Sequence, residues 1–339
     1  MDIKAALHKI ADRRDLTGEE MRGVMRTIMA GEATPSQIGA FLMGMRIKGE
    51  SVGEIAAAVS ILREQMVKVD APEHAIDIVG TGGDGGGTLN ISTASAIVVA
   101  AAGVPVAKHG NRALSSKSGA SQALEALGVN INLSPAEISR SINDVGIGFM
   151  FAPAHHPAMR HVGPSRAEMG VRTMFNLLGP QSNPAGVRRY MLGVYSQEWV
   201  EPIAAALLAN RAVKAWVVHG CDGLDEITVT GPSFVAQIAD GDLRSFEVTP
   251  EQAGLKRHDG KELLGADPQY NAQAIHDLFD GAPGAYRDVV LLNSAAALIV
   301  ADKVADLREG VEAAAAVIDG GHAKNTLARL VAVSNGRDG

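Results

Sequence analysis

Residues 76–102 read IDIVGTGGDGGGTLNISTASAIVVAAA, and the rest of the chain is organised around them. Ile76 to Val79 is a short apolar run of the kind that forms a buried strand. Gly80 to Gly87 places six glycines in eight positions, and Asn90 to Ala102 is small and apolar enough for a buried helix. Strand, glycine loop and helix is a phosphate-binding arrangement. Glycines adopt positive φ and let the backbone approach a ligand, so successive N–H groups can face an anion while the helix N-terminus adds partial positive charge. Gly80, Gly82 and Gly85 also satisfy G-x-G-x-x-G, the dinucleotide fingerprint, which calls for an acidic residue about 20 positions on. Here the next apolar run, Val104 to Ala107, is followed by Lys108, His109, Gly110, Asn111 and Arg112, a basic ending suited to another anionic group. Asp84 inside the loop would repel a bare pyrophosphate unless a metal ion or a ribose hydroxyl lay between them. A purely structural turn is the alternative, and such turns rarely need this much glycine.

The chain has 339 residues, enough for two domains or one large one with an ample core. With 46% hydrophobic and 20% charged residues it has the composition of an ordinary soluble protein. A net charge of −7 gives no basic footprint, so nucleic acid is not an expected partner and a polyanionic substrate must be attracted locally or as a metal complex. The single cysteine, Cys221, excludes an internal disulfide and suits a reducing compartment. The first residues show no basic stretch followed by an apolar core, and the longest apolar run, around Ala94 to Ala107, is too short to span a bilayer. The expected location is cytoplasmic, with no membrane partner.

The first 70 residues read as helices. Thr17 with Glu20, Thr34 with Gln37, and Ser51 with Glu54 have capping-box spacing; Pro35 suits a first turn, and Gly31 and Gly49 fall where helices should stop. Ile38, Phe41, Leu42 and Met45 form an apolar stripe that needs a partner, either another segment or a second subunit. From Ala75 onward strands alternate with helices. Candidate strands are Ile76 to Val79, Val104 to Ala107, Ile147 to Phe151 and Ala215 to His219, with helices between them at Gln122 to Leu127 and from the capping box Ser134 with Glu137 to Asp144. That alternation predicts an α/β fold with a mostly parallel sheet and helices on its faces. Arg166 to Leu178 reads as one helix, Ile227 to Thr230 and Phe234 to Ile238 as antiparallel strands, Val289 to Gly321 as alanine-rich helix followed by a short last one, and Ser334 to Gly339 as a frayed end.

Four further clusters carry chemistry. Asn90, Ser92 and Thr93 open the helix after the loop, where their oxygens suit a helix cap, a phosphate or a metal. KHGNR (108–112) and SSKSG (115–119) interleave cations with small residues and make a second anion nest, or else a solvated basic loop. HGCDGLDEIT (219–228) places Asp222, Asp225 and Glu226 after a buried strand, where ligands bind in open α/β sheets and where a few carboxylates can hold magnesium together with phosphate oxygens. FAPAHHPAMR (151–160) reads as a rigid, shaped loop, since adjacent His155 and His156 seldom ligate one ion. No nucleophile, base and orienter set is visible, so no catalytic residue is named. Two anion nests, a possible magnesium site and a shaped loop suit a substrate with two separated phosphate groups.

The motifs GTGGD (80–84), NIST (90–93), KHGNR, SSKSG, FAPAHHPAM, RAEMGVRTMFNLLGP (166–180), NPA (183–185) and DGLDE (222–226) appear in an order that closely resembles the anthranilate phosphoribosyltransferase family of tryptophan biosynthesis. The resemblance runs from the first helices to the end of the chain. It implies a small all-helical domain, residues 1–70 plus about 166–190, against a larger α/β domain, 75–165 plus about 191–333. It implies that Gly80, Thr81, Gly82, Gly83, Asp84, Thr88, Asn90, Ser92, Thr93, Lys108, Ser118, Gly119 and Ala120 hold phosphoribosyl pyrophosphate. Ser92, Asp225 and Glu226 would bind Mg2+, and Gly80, His109, Asn111 and Arg166 would line the anthranilate side, with Arg166 facing the carboxylate. Family members usually form a homodimer through the helical domain, which would account for the apolar stripe.

Two departures stand out. Where relatives commonly have GSAD, this chain has Gly119, Ala120, Ser121 and Gln122, so Ala120 offers a phosphate only its backbone N–H; Ser165 stands where relatives often carry an apolar residue. In the implied reaction the anthranilate amine attacks C1 of the ribose as pyrophosphate leaves, and the amine proton goes to solvent or to the substrate's own carboxylate. A pyrimidine nucleoside phosphorylase, with a similar glycine loop and KHG, is the alternative enzyme, and a nucleic-acid-binding relative the non-enzymatic one.

Overall fold

Helix starts in the first 65 residues are set by local side-chain chemistry. In the computed structural model, which describes residues 2–82, 87–112 and 118–337, Thr17 with Glu20, Thr34 with Gln37 and Ser51 with Glu54 all form reciprocal capping boxes. They open α2 (Gly18–Met29), α3 (Pro35–Lys48) and α4 (Val52–Gln65), which follow α1 (Ile3–Ala11). The chain continues as β1 (Ile76–Gly80), α5 (Ile91–Ala101), β2 (Val106–Gly110), α6 (Ala120–Ala126), α7 (Pro135–Val145), β3 (Ile147–Phe151), α8 (Ala152–His155), α9 (Gly163–Met169) and α10 (Phe175–Leu178). The remainder comprises β4 (Arg189–Gly193), α11 (Val200–Ala209), β5 (Lys214–Gly220), β6 (Ser233–Ala239), β7 (Asp242–Val248), α12 (Pro268–Phe279), α13 (Ala285–Val300), α14 (Leu307–Asp319) and α15 (His322–Ser334).

The strands form one sheet in the order β3-β2-β1-β4-β5-β6-β7, with parallel pairing up to β5 and antiparallel pairing beyond it. The chain runs outward from β1 through β2 to β3, then returns to lay β4 on the other side of β1. Open α/β sheets bind ligands at such a reversal, at the C-terminal ends of the strands. There Gly80 of β1 pairs with Gly193 of β4. Alternating side chains cover both faces of the sheet: Ile76, Ile78, Val106, Met191 and Val218 pack with α5 and α13, while Val79, Ala107, Met150, Leu192 and Val217 share an apolar core with the N-terminal helices. Arg63 of α4 ties those helices to the sheet through the Gln181 carbonyl at 2.6 Å, the Asn210 carbonyl at 3.2 Å and the Tyr190 hydroxyl at 3.0 Å.

Several expectations are corrected. The stripe of Ile38, Phe41, Leu42 and Met45 is at most 2% exposed, covered within the chain where α3 packs on α1 and α9, so it is no evidence for a second subunit. β2 begins two residues later than expected and runs through Lys108, His109 and Gly110, each paired with β3. Arg166 to Leu178 is not one helix; α9 stops at Gly170, which takes left-handed φ, and α10 restarts at Phe175. Ile227 to Thr230 is not a strand, because the Asn293 side chain takes both the N–H and the C=O of Ile227 and the Ser233 hydroxyl takes the N–H of Thr228. The antiparallel pair is β6 with β7. The last helix is 13 residues long, and Ser334, expected to fray, is its buried final residue and accepts the Asn130 N–H at 3.1 Å.

Candidate active site

At the switch point the glycines serve close packing. A Cβ on Gly193 would coincide with the Asp225 main-chain carbonyl, and one on Gly80 would collide with the Asp225 carboxylate. The turn after β5 therefore lies directly on the ends of β1 and β4. Asp225 Oδ2 accepts the Gly82 N–H at 2.7 Å, joining the DE turn to the glycine loop, and the Tyr195 N–H donates to Thr81 Oγ1 at 3.0 Å. Asp222 accepts from the Thr228 and Thr230 hydroxyls at 2.6 and 2.9 Å, so among the three acids of that segment it braces the turn. Gly83, Asp84 and Ser115 to Lys117 lie outside the described residues.

Because KHG belongs to β2, successive side chains leave it on opposite faces. Lys108 is 2% exposed and donates to the Ile78 carbonyl at 2.5 Å. Burial pushes its ammonium down, and Asp77, Glu226 and Asp225 hold it up, in that order. His109 is buried on the other face. Burial holds its ring well below the usual imidazole range, with His156, His155 and Lys108 acting in the same direction and the Gly179 main chain opposing them. Among the described residues its buried Nε2 has no hydrogen-bond partner, and its ring lies 5.1 Å from that of His156, whose Nε2 likewise has none there and whose ring burial pushes down to about 4. Two neutral imidazoles thus lie side by side, His109 against the Gly179 main chain and His156 against that of Ser182, as hydrogen-bond acceptors or donors by tautomer.

Arg166 reaches the same segment from α9: its guanidinium lies 3.5 Å from Asn176 Oδ1 and 5.6 Å over the Phe175 ring. Asn111 is exposed and its side chain accepts the Arg112 N–H, while Arg112 pairs with Glu125 at 3.1 Å and leans over Phe151, so that cation is engaged within the chain. Ser92 and Glu226 are half-buried, and Thr93 is buried with a hydroxyl that has no partner among the described residues. Gly119 donates its N–H to Gln122 Oε1 at 3.0 Å, and Ser121, the displaced serine, is buried in α6. Ser165 is buried in α9.

Three polar residues at the site, Asp77, Asn271 and Tyr286, carry no motif that marks them from sequence, and a fourth, Asn183, opens the NPA motif with no role assigned to it. Asp77, fully buried in β1, accepts the His109 N–H at 3.1 Å and the Asn183 amide at 2.7 Å, while Asn183 also donates to the Ala107 carbonyl at 2.8 Å. A carboxylate inside an otherwise apolar strand was the available signal for Asp77. Asn271 and Tyr286 reach Asn90 from α12 and α13; no local pattern announces them. A cleft of about 990 Å³ lined by Lys214, Trp216, Arg244 and Phe246 lies at the β5–β7 end of the sheet and holds none of the residues expected from sequence. Among the described residues no group of three or more His, Cys, Asp or Glu side chains is placed to hold a metal. Asp225 and Glu226 with the Ser92 hydroxyl are hard oxygen donors of the kind magnesium takes when substrate phosphates complete its shell.

A helical bundle capping one face of a mostly parallel sheet is the architecture of a glycosyl transferase class that the sequence comparisons also recover. Residues 4–66 match the helical bundle domain of the glycosyl transferase family, and residues 72–324 match its a/b domain. Anthranilate phosphoribosyltransferases from Parvibaculum lavamentivorans and Nitrobacter hamburgensis are 58% and 56% identical over 337 and 335 residues, covering 99% of both chains in each comparison. The crystal structure of anthranilate phosphoribosyltransferase from Thermus thermophilus superposes with a TM-score of 0.92 at 43% identity, covering 99% of this chain and 100% of the other. The Saccharomyces cerevisiae enzyme, solved in complex with PRPP and Mg, superposes with a TM-score of 0.90 at 27% identity over 98% of each chain. The chain belongs to the anthranilate phosphoribosyltransferase family. The phosphorylase alternative is not favoured. No helix among the described residues is long and apolar enough to cross a membrane.

Proposed function

We propose that the chain transfers the phosphoribosyl group of phosphoribosyl pyrophosphate to the amine of anthranilate, releasing pyrophosphate, in tryptophan biosynthesis. The observation that carries the reading is Asp225, seated on Gly80 and Gly193 and bonded to the Gly82 N–H beside buried Lys108. In this reading Gly80 to Asp84, Thr88, Asn90, Ser92, Thr93, Lys108 and Ser118 to Ala120 hold the phosphoribosyl donor. His109, Asn111, Arg166 and the backbone of Gly80 line the amine's side. Ser92, Asp225 and Glu226 hold magnesium, which supplies positive charge to the departing pyrophosphate. An aromatic amine is a weak nucleophile, so C–O cleavage runs ahead of attack and charge builds on the sugar. The protein's part is positioning and fixed dipoles: glycine-loop N–H groups and Lys108 on the anion, Arg166 on the carboxylate, and neutral His109 beside the amine. His109 and Arg166 both approach residues 175–179, which supports their sharing one subsite.

The helical domain, residues 1–70 with about 166–190, supplies the amine's side, and the α/β domain, 75–165 with about 191–333, the phosphate side. A cytoplasmic homodimer completes the proposal; exposed Ile47 and Val171 on the helical layer support a subunit contact there. Sedimentation of Ile47→Asp as a dimer indistinguishable from the parent would remove that support. Loss of anthranilate fluorescence with phosphoribosyl pyrophosphate and Mg2+ tests the activity. Asp225→Asn with Glu226→Gln should abolish the magnesium-dependent turnover, and unchanged magnesium dependence in that variant overturns the metal assignment. Phosphate-dependent cleavage of thymidine in place of anthranilate consumption would overturn the reaction itself.

A further inference from the structure

Asn90 stands at the N-cap of α5 but makes no side-chain bond to that helix. Its carboxamide oxygen instead accepts two hydrogen bonds, from Ser118 Oγ at 3.2 Å and from Asn271 Nδ2 at 2.9 Å. An amide oxygen has two lone pairs, and both are engaged. Among the described residues, the Asn90 Nδ2 edge donates to nothing. Ser118 belongs to the second anion nest and Asn90 to the end of the first, so this oxygen joins the two. The hydroxyl of Ser118 can donate or accept and does not dictate which end of the amide it meets. Asn271 does dictate it, because its own oxygen is committed to the Ala266 N–H at 2.9 Å, leaving only its N–H edge for Asn90.

The neighbouring chain holds Asn271 in that orientation. Gly265 donates to the Gly87 carbonyl at 2.9 Å, Leu89 donates to the Leu263 carbonyl at 2.9 Å, and Thr88 and Leu264 form an antiparallel bridge. A Cβ on Gly265 would come within 2.7 Å of the Asn271 oxygen, so only glycine lets the segment close over it. The Tyr286 hydroxyl donates to the Asn90 carbonyl at 3.1 Å and fixes the main chain of Asn90 as well.

We propose that Asn271 is a positioning residue for the phosphoribosyl donor: it fixes Asn90 with its amide N–H edge, not its oxygen, toward the anion cradle. The inference rests on the functional reading above. Asn90 so held is a preorganised donor to a phosphate or ribose oxygen; turned over, it would present a lone pair to an anion.

Asn271→Asp separates this role from a merely structural one, since aspartate keeps an acceptor for the Ala266 N–H but faces Asn90 with an acceptor instead of a donor. Calorimetric titration with phosphoribosyl pyrophosphate and Mg2+ should show Kd raised about tenfold, the scale of one charge-assisted hydrogen bond. The anthranilate KM at saturating donor should stay close to the parent's, while the thermal midpoint falls somewhat because the new carboxylate is buried. The added carboxylate could also weaken binding by simple repulsion, and a cycle with Asn90→Ala decides between the two. If Asn271 acts through Asn90, the aspartate substitution has little further effect in the Asn90→Ala background; an undiminished effect there, or an unchanged Kd in Asn271→Asp alone, overturns the proposal. Failure of the parent protein to bind phosphoribosyl pyrophosphate would instead refute the functional reading.

Discussion

The main-chain carbonyl of Asp225 occupies the place a Cβ would take on Gly193. The obstacle is backbone, which has no rotamer to yield, so Gly193→Ala must push the DE turn off the sheet. Overpacking of this kind costs about 1–3 kcal/mol, and the displacement also pulls Asp225 away from the Gly82 N–H. Turnover should fall by roughly two orders of magnitude, the scale of a misplaced catalytic group. Gly39→Ala is the matched control: Gly39 lies inside α3 with no atom within 4 Å of an added Cβ, and there alanine should leave turnover intact and raise stability by about 0.5–1 kcal/mol. Urea unfolding and steady-state assays on both variants check the pair, and equal turnover in the two would contradict the packing argument.

Arg166 is held over Phe175 and near Asn176, and burial pushes its guanidinium down without removing its charge. Arg166→Ala should raise the anthranilate KM by about tenfold or more through loss of a charge-assisted contact, leaving the phosphoribosyl KM near the parent value. Varying each substrate at saturating levels of the other gives the split. A rise confined to the phosphoribosyl substrate would place Arg166 in the wrong subsite.

Burial of Asp77 predicts the sign of a pH dependence of the fold. Burial raises its carboxyl from 3.8 to about 6, more than Lys108, Asn183 and the backbone N–H groups lower it. The native state therefore takes up this proton before the unfolded chain does. Its contribution is complete below the unfolded pKa and is lost as pH rises through 6. The full difference corresponds to about 3 kcal/mol, of which about 1 kcal/mol has appeared by pH 5. Asp77→Asn, uncharged throughout, should lack this term, so the parent should gain on the variant in urea unfolding between pH 7 and pH 5. A gain in the opposite direction would mean the native carboxylate is stabilised in its charged form.

What the sequence discloses here is chemistry whose partners are near in the chain. Ser134 and Glu137 are three positions apart, and their reciprocal cap is readable from spacing alone. The same holds for β1 and α5. β4 escapes notice because only three apolar residues follow Arg189 and Tyr190 supplies bulk usual in many contexts; it is a strand because β1 and β5 flank it with open hydrogen-bonding edges. β7, mostly exposed and polar, is a strand through its pairing with β6 alone. Ile227 to Thr230 has the composition of a strand and fails to become one because Asn293, 66 positions away, occupies the backbone groups a neighbouring strand would use. Asn271 lies 181 positions from Asn90, and no periodicity reports such a bond.

The four hydrogen bonds of Arg63, two of them to the Gln181 carbonyl, carry a meaning for how the molecule comes apart. They fasten α4 to the loop before β4, to β4 itself and to the end of α11, across a seam where Met25, Ile28 and Ile61 share one apolar core with Val79, Ala107 and Met150. Cutting the chain near residue 66 would bare both sides of that seam to water. The boundary visible in the sequence should therefore not be a boundary of cooperativity: bundle and sheet match two family domains, yet their shared core predicts that they melt as one.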